Sequence, residues 1–162
     1  MWYNIKMIEL VPFVVCNDEL PPQVQQFDTP IRDLVEEVYP TTPRGELLCH
    51  IPGLCLLALT KEVASSPVGV ANLTLDAPDE FGMDTAWIDT LVVSPQRRQR
   101  GLHIGSVLVD RVVSLAQKEG ASAIGIEATE TSVDFWRKQG FRSVQPQPPV
   151  KGIFTEVMCR FL

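Results

Sequence analysis

The sequence predicts one α/β domain built on a mixed sheet, mostly antiparallel with one parallel pair. Three observations carry this. Leu54–Thr60, Val68–Leu75 and Trp87–Val93 are consecutive strand-like runs joined by short turns, which implies an antiparallel meander. A helical run from Ile104 to Ala116 separates Trp87–Val93 from the next strand-like run, Ala123–Ala128. A connection of that length lets the two strands lie parallel. The 162 residues suit a single domain, 1–162, with one real core.

Taken in order, Ile5, Met7, Ile8, Leu10, Val11, Phe13, Val14 and Val15 make residues 5–15 a first strand region, interrupted by Pro12. Asn17–Gln26 holds Pro21 and Pro22 and reads as a loop with room for one helical turn. Asp28-Thr29-Pro30 starts a helix, a capping side chain followed by proline in the first turn. Ile31, Leu34, Val35 and Val38 form its apolar stripe, and Pro40 ends it. Residues 40–53 are mostly connecting structure, in which Glu46–Ile51 fits a short helix or a strand equally well. Ser65-Ser66-Pro67 reads as a turn; beyond it Leu73 and Leu75 alternate with Asn72 and Thr74. Asp76–Gly82 is a hairpin loop, and Trp87–Val93 is apolar on both faces, as a central strand should be.

The following helix carries Ile104, Leu108, Val112 and Leu115 on one stripe, and Gly120 is its stop. Thr131–Lys138 is a short helix ending at Gln139-Gly140-Phe141, residues 145–149 are a proline-rich loop, and Ile153–Phe161 closes the chain as a strand. Phe154, Met158 and Phe161 would serve equally as the apolar edge of a homodimer or as part of one core.

Composition bounds the function. Hydrophobic content of 45% and charged content of 21% are ordinary for a soluble globular protein. No apolar run is long enough to span a bilayer, and Met1–Lys6 lacks the pattern of a signal peptide, so the expectation is a cytoplasmic protein with no membrane partner. A net charge of −6 argues against a nucleic-acid partner. Asp76, Asp79, Glu80, Asp84 and Asp89 follow one another with no compensating base, a mild preference for a cationic substrate. Cys16, Cys49, Cys55 and Cys159 form no CxxC pair and lie in or beside apolar runs, which reads as buried reduced thiols and no metal site.

The most informative stretch is Arg98-Gln99-Arg100-Gly101-Leu102-His103-Ile104-Gly105-Ser106. A strand ends, turns through a basic, glycine-containing loop and becomes the first turn of a helix. The first amides of a helix have no intrahelical acceptor and carry the positive end of its dipole, so such a turn can hold an anion. A solvated basic loop is the plainer alternative.

Three pieces, in order, resemble the GNAT superfamily of acetyl-CoA-dependent N-acetyltransferases: Ile88–Pro95, Arg100–Leu108, and Phe135-Trp136-Arg137-Lys138-Gln139-Gly140-Phe141. The family's loop reads Gln/Arg-x-x-Gly-x-Gly/Ala, and its later helix ends in an aromatic-x-x-x-Gly-Phe pattern. The resemblance implies a GNAT-like mixed, mostly antiparallel sheet of six to seven strands, about four flanking helices and a splayed central parallel pair. It also implies transfer of an acetyl group from acetyl-CoA to a primary amine on a small molecule or peptide. A second reading is a GNAT-like module that binds a CoA ester without turnover.

Residue by residue, the resemblance places the pantetheine along the backbone of Leu91, Val92 and Val93, with one of those amides polarising the carbonyl. The pyrophosphate falls on Gly101, Leu102, His103, Ile104, Gly105 and Ser106, with Arg98 or Arg100 near the adenosine phosphates. If Arg100 takes the first motif position, the first glycine is His103 and the last is Gly105. If Arg98 does, these become Gly101 and His103. The helical stripe starting at Ile104 favours the first register. Either way histidine replaces a glycine, and its ring could donate to a phosphate or narrow the cradle.

Asp89 is the leading general base, on the expectation that alternation puts Trp87, Asp89, Leu91 and Val93 on one face. Glu127 is the second candidate. Ser132 is expected to contact the cofactor or cap its helix. Trp136 stands where many family members carry an acidic tyrosine, and is expected to pack beside the cofactor.

Overall fold

The computed structural model describes residues 8–15, 20–39, 53–60, 63–75, 84–98, 102–150 and 154–162. Its seven strands are β1 (Ile8–Val15), β2 (Gly53–Thr60), β3 (Val63–Thr74), β4 (Thr85–Val93), β5 (Ala123–Ala128), β6 (Arg142–Val150) and β7 (Phe154–Phe161). They form one sheet in the order β1-β2-β3-β4-β5-β7-β6. Every pairing is antiparallel except β4 with β5. The helices are α1 (Asp28–Val38), which follows a 3-10 turn at Pro22–Phe27, then α2 (Pro95–Arg98), α3 (Ile104–Lys118) and α4 (Val133–Lys138).

The sheet has a core on each face. On one, Ile104, Leu108 and Val112 of α3 and Trp136 of α4 pack on Leu56, Ala58, Leu73, Ile88, Ile124 and Ile126. On the other, Ile31, Leu34 and Val35 of α1 pack on Phe13, Cys55, Leu57, Val70 and Val92. The amphipathic stripes read from the sequence are what α1 and α3 lay against the sheet. Gly120 and Gly140, at φ of +89° and +86°, follow the ends of α3 and α4.

Four expectations are corrected. Pro12 does not interrupt β1, which runs through it; β1 is an edge strand, where proline need not supply a ladder hydrogen bond. Ser65-Ser66-Pro67 lies inside β3, whose register with β2 shifts at Leu59 and so accommodates Pro67. The prolines of 145–149 belong to the other edge strand, β6, whose register with β7 breaks on both sides of Pro146. Asp28 does not cap α1 but sits in its first turn, where its Oδ1 accepts from Arg32 Nε at 2.8 Å.

Met158 is fully buried in the α3-side core, so it is no part of an exposed apolar edge, although Phe161 is exposed. Cys55 and Cys159 are buried thiols, and Cys55 Sγ accepts from Asn72 Nδ2 at 3.0 Å. No helix among the described residues is long and apolar enough to cross a membrane. Cys16, Cys49, Glu46–Ile51 and the 76–82 loop lie outside the described residues.

Candidate active site

The β4–β5 ladder is short. It runs from Thr85 opposite Ala123 to Ile88 opposite Ile126 and stops there. Beyond it, Thr90 to Val93 continue along β3, while Glu127 and Ala128 continue along β7 opposite Val157 and Glu156. Two strands that are each paired on their outer side but part company from each other leave a gap at the centre of the sheet. The expected splay is therefore present, beside Leu91–Val93.

Asp89 sits where the splay begins. Asn72 pairs with Thr90 and Leu73 with Ile88, so Asp89 is the extra residue of a β-bulge. The bulge breaks the period of two. Ala86 and Ile88 join the α3-side core, yet so do Leu91 and Val93 after the bulge, while Val92 faces α1. Alternation therefore does not put Trp87, Asp89, Leu91 and Val93 on one face: Trp87 points the other way from Leu91 and Val93.

Thr74 lies opposite Trp87, and its Oγ1 donates to Asp89 Oδ2 at 2.5 Å. That contact turns the Asp89 carboxylate toward the Trp87 side of the sheet. The residue as a whole is exposed, but the protein crowds its carboxyl group. The loss of water raises its pKa above the ordinary 3.8, a shift opposed in part by the Thr74 hydroxyl and by backbone hydrogen bonds, which stabilise the charged form.

The turn after β4 is tightly built. Ser94 N–H donates to Val68 O at 2.9 Å, and Arg97 N–H to Ser94 O at 2.9 Å, forming the single helical turn α2. Chain then returns at Leu102 and His103 to start α3. The first intrahelical bond there runs from Val107 N–H to His103 O at 3.1 Å. The amides of Ile104, Gly105 and Ser106 thus precede the helical ladder, as an anion cradle requires.

His103 is exposed and has φ +48° and ψ +36°, in the left-handed region. Glycine occupies that region without strain, whereas an L-residue is strained by roughly 1–2 kcal/mol. Position 103 thus keeps a glycine-like backbone with an imidazole attached, in accord with the register that begins at Arg100. The side chain of Ile104 is buried in the core and that of Leu102 is half-buried against it. Gly101 and Arg100 lie outside the described residues; Arg98 ends α2.

The short helix α4 braces the start of α3. A Cβ on Gly105 would lie 3.2 and 3.3 Å from two atoms of the Phe135 ring, so the ring rests on this glycine. Gln139 Nε2 donates to Ser106 Oγ at 3.0 Å. From the other side Arg160 donates to Gln139 O at 2.8 Å, and Arg137 to Glu156 Oε1 at 3.2 Å, tying α4 to β7. Ser132 is used locally: its Oγ accepts from Thr129 N–H at 2.9 Å and lies 3.1 Å from Thr129 O. Trp136 is buried, edge-on to Phe135 and Phe141 with centroids 5.1 Å away in each case. Its packing role is internal to the core.

The contacts of Thr74 with Asp89, of Phe135 with Gly105 and of Trp87 with Gly125 were not read from the sequence. The indole of Trp87 lies over Gly125, where an added Cβ would meet ring atoms at 2.9 Å. A glycine in the middle of an apolar strand was the available signal, because it marks a close approach.

The comparisons with known proteins point the same way. A family model described as "Acetyltransferase (GNAT) family" matches residues 23–141. No curated protein sequence matches the chain. Among solved structures, the chain is similar to the catalytic domain of the Tetrahymena GCN5 histone acetyltransferase in complex with coenzyme A, with TM-score 0.68 and 15% identity over 95% of this chain and 92% of that one. It is similar to a chain of the NatC complex bound to Gag peptide and CoA, with TM-score 0.71 and 14% identity over 96% and 99%. It is similar also to a GCN5-related N-acetyltransferase from Kribbella flavida, with TM-score 0.63 and 21% identity over 97% and 99%. At these identities the structures speak for the fold, and the family model speaks for the lineage: the chain belongs to the acetyltransferase (GNAT) family.

Proposed function

We propose that this protein is an N-acetyltransferase that moves an acetyl group from acetyl-CoA to a primary amine within a ternary complex. The observation that carries the reading is the short β4–β5 ladder, which opens a gap next to a helix start whose first amides precede the helical ladder. Two of the solved structures similar to this chain contain coenzyme A.

Acetyl-CoA supplies the acetyl thioester. In this reading the edge of β4 at Leu91, Val92 and Val93 pairs with the pantetheine arm, and one of these amides donates to the thioester oxygen as negative charge develops there. The amides of His103 to Ser106 hold the pyrophosphate. Asp89 accepts the proton of the incoming ammonium, directly or through a water. The amine nitrogen then bonds to the carbonyl carbon, the carbon–sulfur bond breaks, and the electron pair leaves with sulfur. The raised pKa of Asp89 makes it a stronger base than an ordinary carboxylate, and the Thr74 hydroxyl holds it in place. Trp136 donates no proton, since indole is not acidic and the ring is buried. The thiolate is a good enough leaving group near neutrality to take its proton from water.

The test is to incubate the protein with acetyl-CoA and a panel of primary amines and follow free thiol. Thiol release that depends on an amine supports transfer. Tight CoA binding with no release from any amine would instead make the chain a CoA-ester-binding module.

A further inference from the structure

The acceptor side of the gap carries a second recognisable chemistry. Trp87 and Gly125 face each other across the last rungs of the β4–β5 ladder, with the indole lying over the glycine. Gly125 and Glu127 are two apart on β5, while Ile124, Ile126 and Ala128 fill the α3-side core. Glu127 therefore projects on the same side of the sheet as Trp87, and it is exposed. Asp89 is two residues past Trp87 on β4, and its hydrogen bond to Thr74, opposite Trp87, keeps its carboxylate on that side too.

The result is an indole between two strands that diverge, with one carboxylate about 7 Å further along each strand. Arg160 of the adjoining β7 pairs with Ile124 and is turned to the α3 side, where it donates to Gln139 O. On the Trp87 side of the sheet the next described cation in register is Arg142 on β6, which pairs with Cys159 and so stands two strands, about 10 Å, from Gly125. An aromatic face flanked by carboxylates selects cations.

We propose that the acceptor is an amine bearing a second cationic group, a diamine or a basic peptide segment. Asp89 serves the reacting nitrogen, while Glu127 and the face of Trp87 hold the second charge. This rests on the transfer reading above, and it adds the substrate class. Glu127 is thus a specificity residue, leaving base duty to Asp89.

The test compares 1,4-diaminobutane with 4-amino-1-butanol, which has the same reach and one charge fewer. With the wild-type protein and acetyl-CoA, kcat/KM for the diamine is expected to exceed that for the amino alcohol by at least tenfold. Glu127→Gln should shrink that preference to threefold or less by raising the diamine KM, with kcat for the amino alcohol retained. Trp87→Leu should do the same and Trp87→Phe should restore most of it. Equal use of the two acceptors by the wild type, or a preference unchanged in Glu127→Gln, overturns the proposal.

Calorimetric binding of 1,4-diaminobutane to the protein–CoA complex separates this from the transfer reading. Saturable binding that Glu127→Gln weakens at least tenfold supports the second-charge site even where no thiol is released. Absence of saturable binding overturns it even where simple amines are acetylated.

Discussion

Gly105 offers a perturbation whose two consequences can be pulled apart. A valine at 105 adds three carbons in the first turn of α3. Its Cβ alone would stand 3.2 Å from the Phe135 ring and 3.7 Å from Val93 Cγ2, so the ring must move. Phe135 cannot move freely, because it packs edge-on against the buried Trp136. Forcing extra carbons into such a contact costs about 1–3 kcal/mol. Replacing glycine in a helix returns roughly 0.5 kcal/mol. The net expectation is a loss of about 1–2 kcal/mol, a fall in Tm of roughly 2–8 °C for a chain of this size. In a Phe135→Leu background the ring is gone, and at least about 1 kcal/mol of that loss should disappear, the coupling expected of residues in contact. Coenzyme A affinity should behave differently: the valine still stands among the amides of the cradle, so affinity should stay depressed in the double variant. Thermal melts and CoA titrations of the four proteins in the cycle decide it. A stability loss equal in both backgrounds would refute the Phe135 contact. Full recovery of CoA affinity alongside stability would mean that Gly105 serves packing and the cradle is elsewhere.

Other expectations follow from the same geometry. Asp89→Asn should lower kcat and remove the limb on which activity rises with pH through the raised Asp89 pKa, with CoA affinity nearly unchanged; steady-state profiles check this. The sign for stability is opposite to that for activity. Because the folded-state pKa is raised above 3.8, the folded protein binds more protons between 3.8 and the shifted value, and stability falls as pH rises through that window. At neutral pH Asp89→Asn should therefore be at least as stable as the wild type, an advantage that vanishes below pH 3.8 in denaturant titrations. At position 103, His103→Val should cost about 1–2 kcal/mol, since a β-branched residue is poorly tolerated at positive φ, while His103→Gly should lie within about 1 kcal/mol of the wild type. Equal melting of these two variants would contradict the left-handed backbone there. Leu108→Ala, at a fully buried position between α3 and the sheet, should destabilise by about 2–5 kcal/mol in urea titrations without changing the pH profile of the remaining activity.

Much of the fold was legible because the chain's strongest periodic signals are also its structural centre. The meander, the α3 stripe and the parallel return at β5 are each marked by apolar runs with clear punctuation. The errors have a common origin in proline and in register. Pro12, Pro67 and Pro146 read as breaks, yet an edge position or a shifted register lets each lie within a strand. The bulge at Asp89 leaves no mark in composition, so a strict period of two carried the reading past it and misassigned the faces beyond. The basic loop and the helix start after β4 were visible as a local motif. What supports it was not, since Phe135 and Gln139 reach Gly105 and Ser106 from about thirty residues away. Ser132 and Trp136 were expected near the cofactor, as a contact or helix cap and as a packing residue; the local partners of each, Thr129 and the Phe135 and Phe141 rings, leave no trace in the sequence pattern.

Hydrogen exchange with and without coenzyme A tests most directly whether the divergence of β4 and β5 is where the cofactor enters. Pairing of the pantetheine arm with β4, and of the pyrophosphate with the start of α3, predicts slowed exchange in two places, Leu91–Val93 and His103–Ser106, with little change in β1 and β2. Protection that spares both segments while CoA is bound, or that falls on another part of the sheet, would contradict the account.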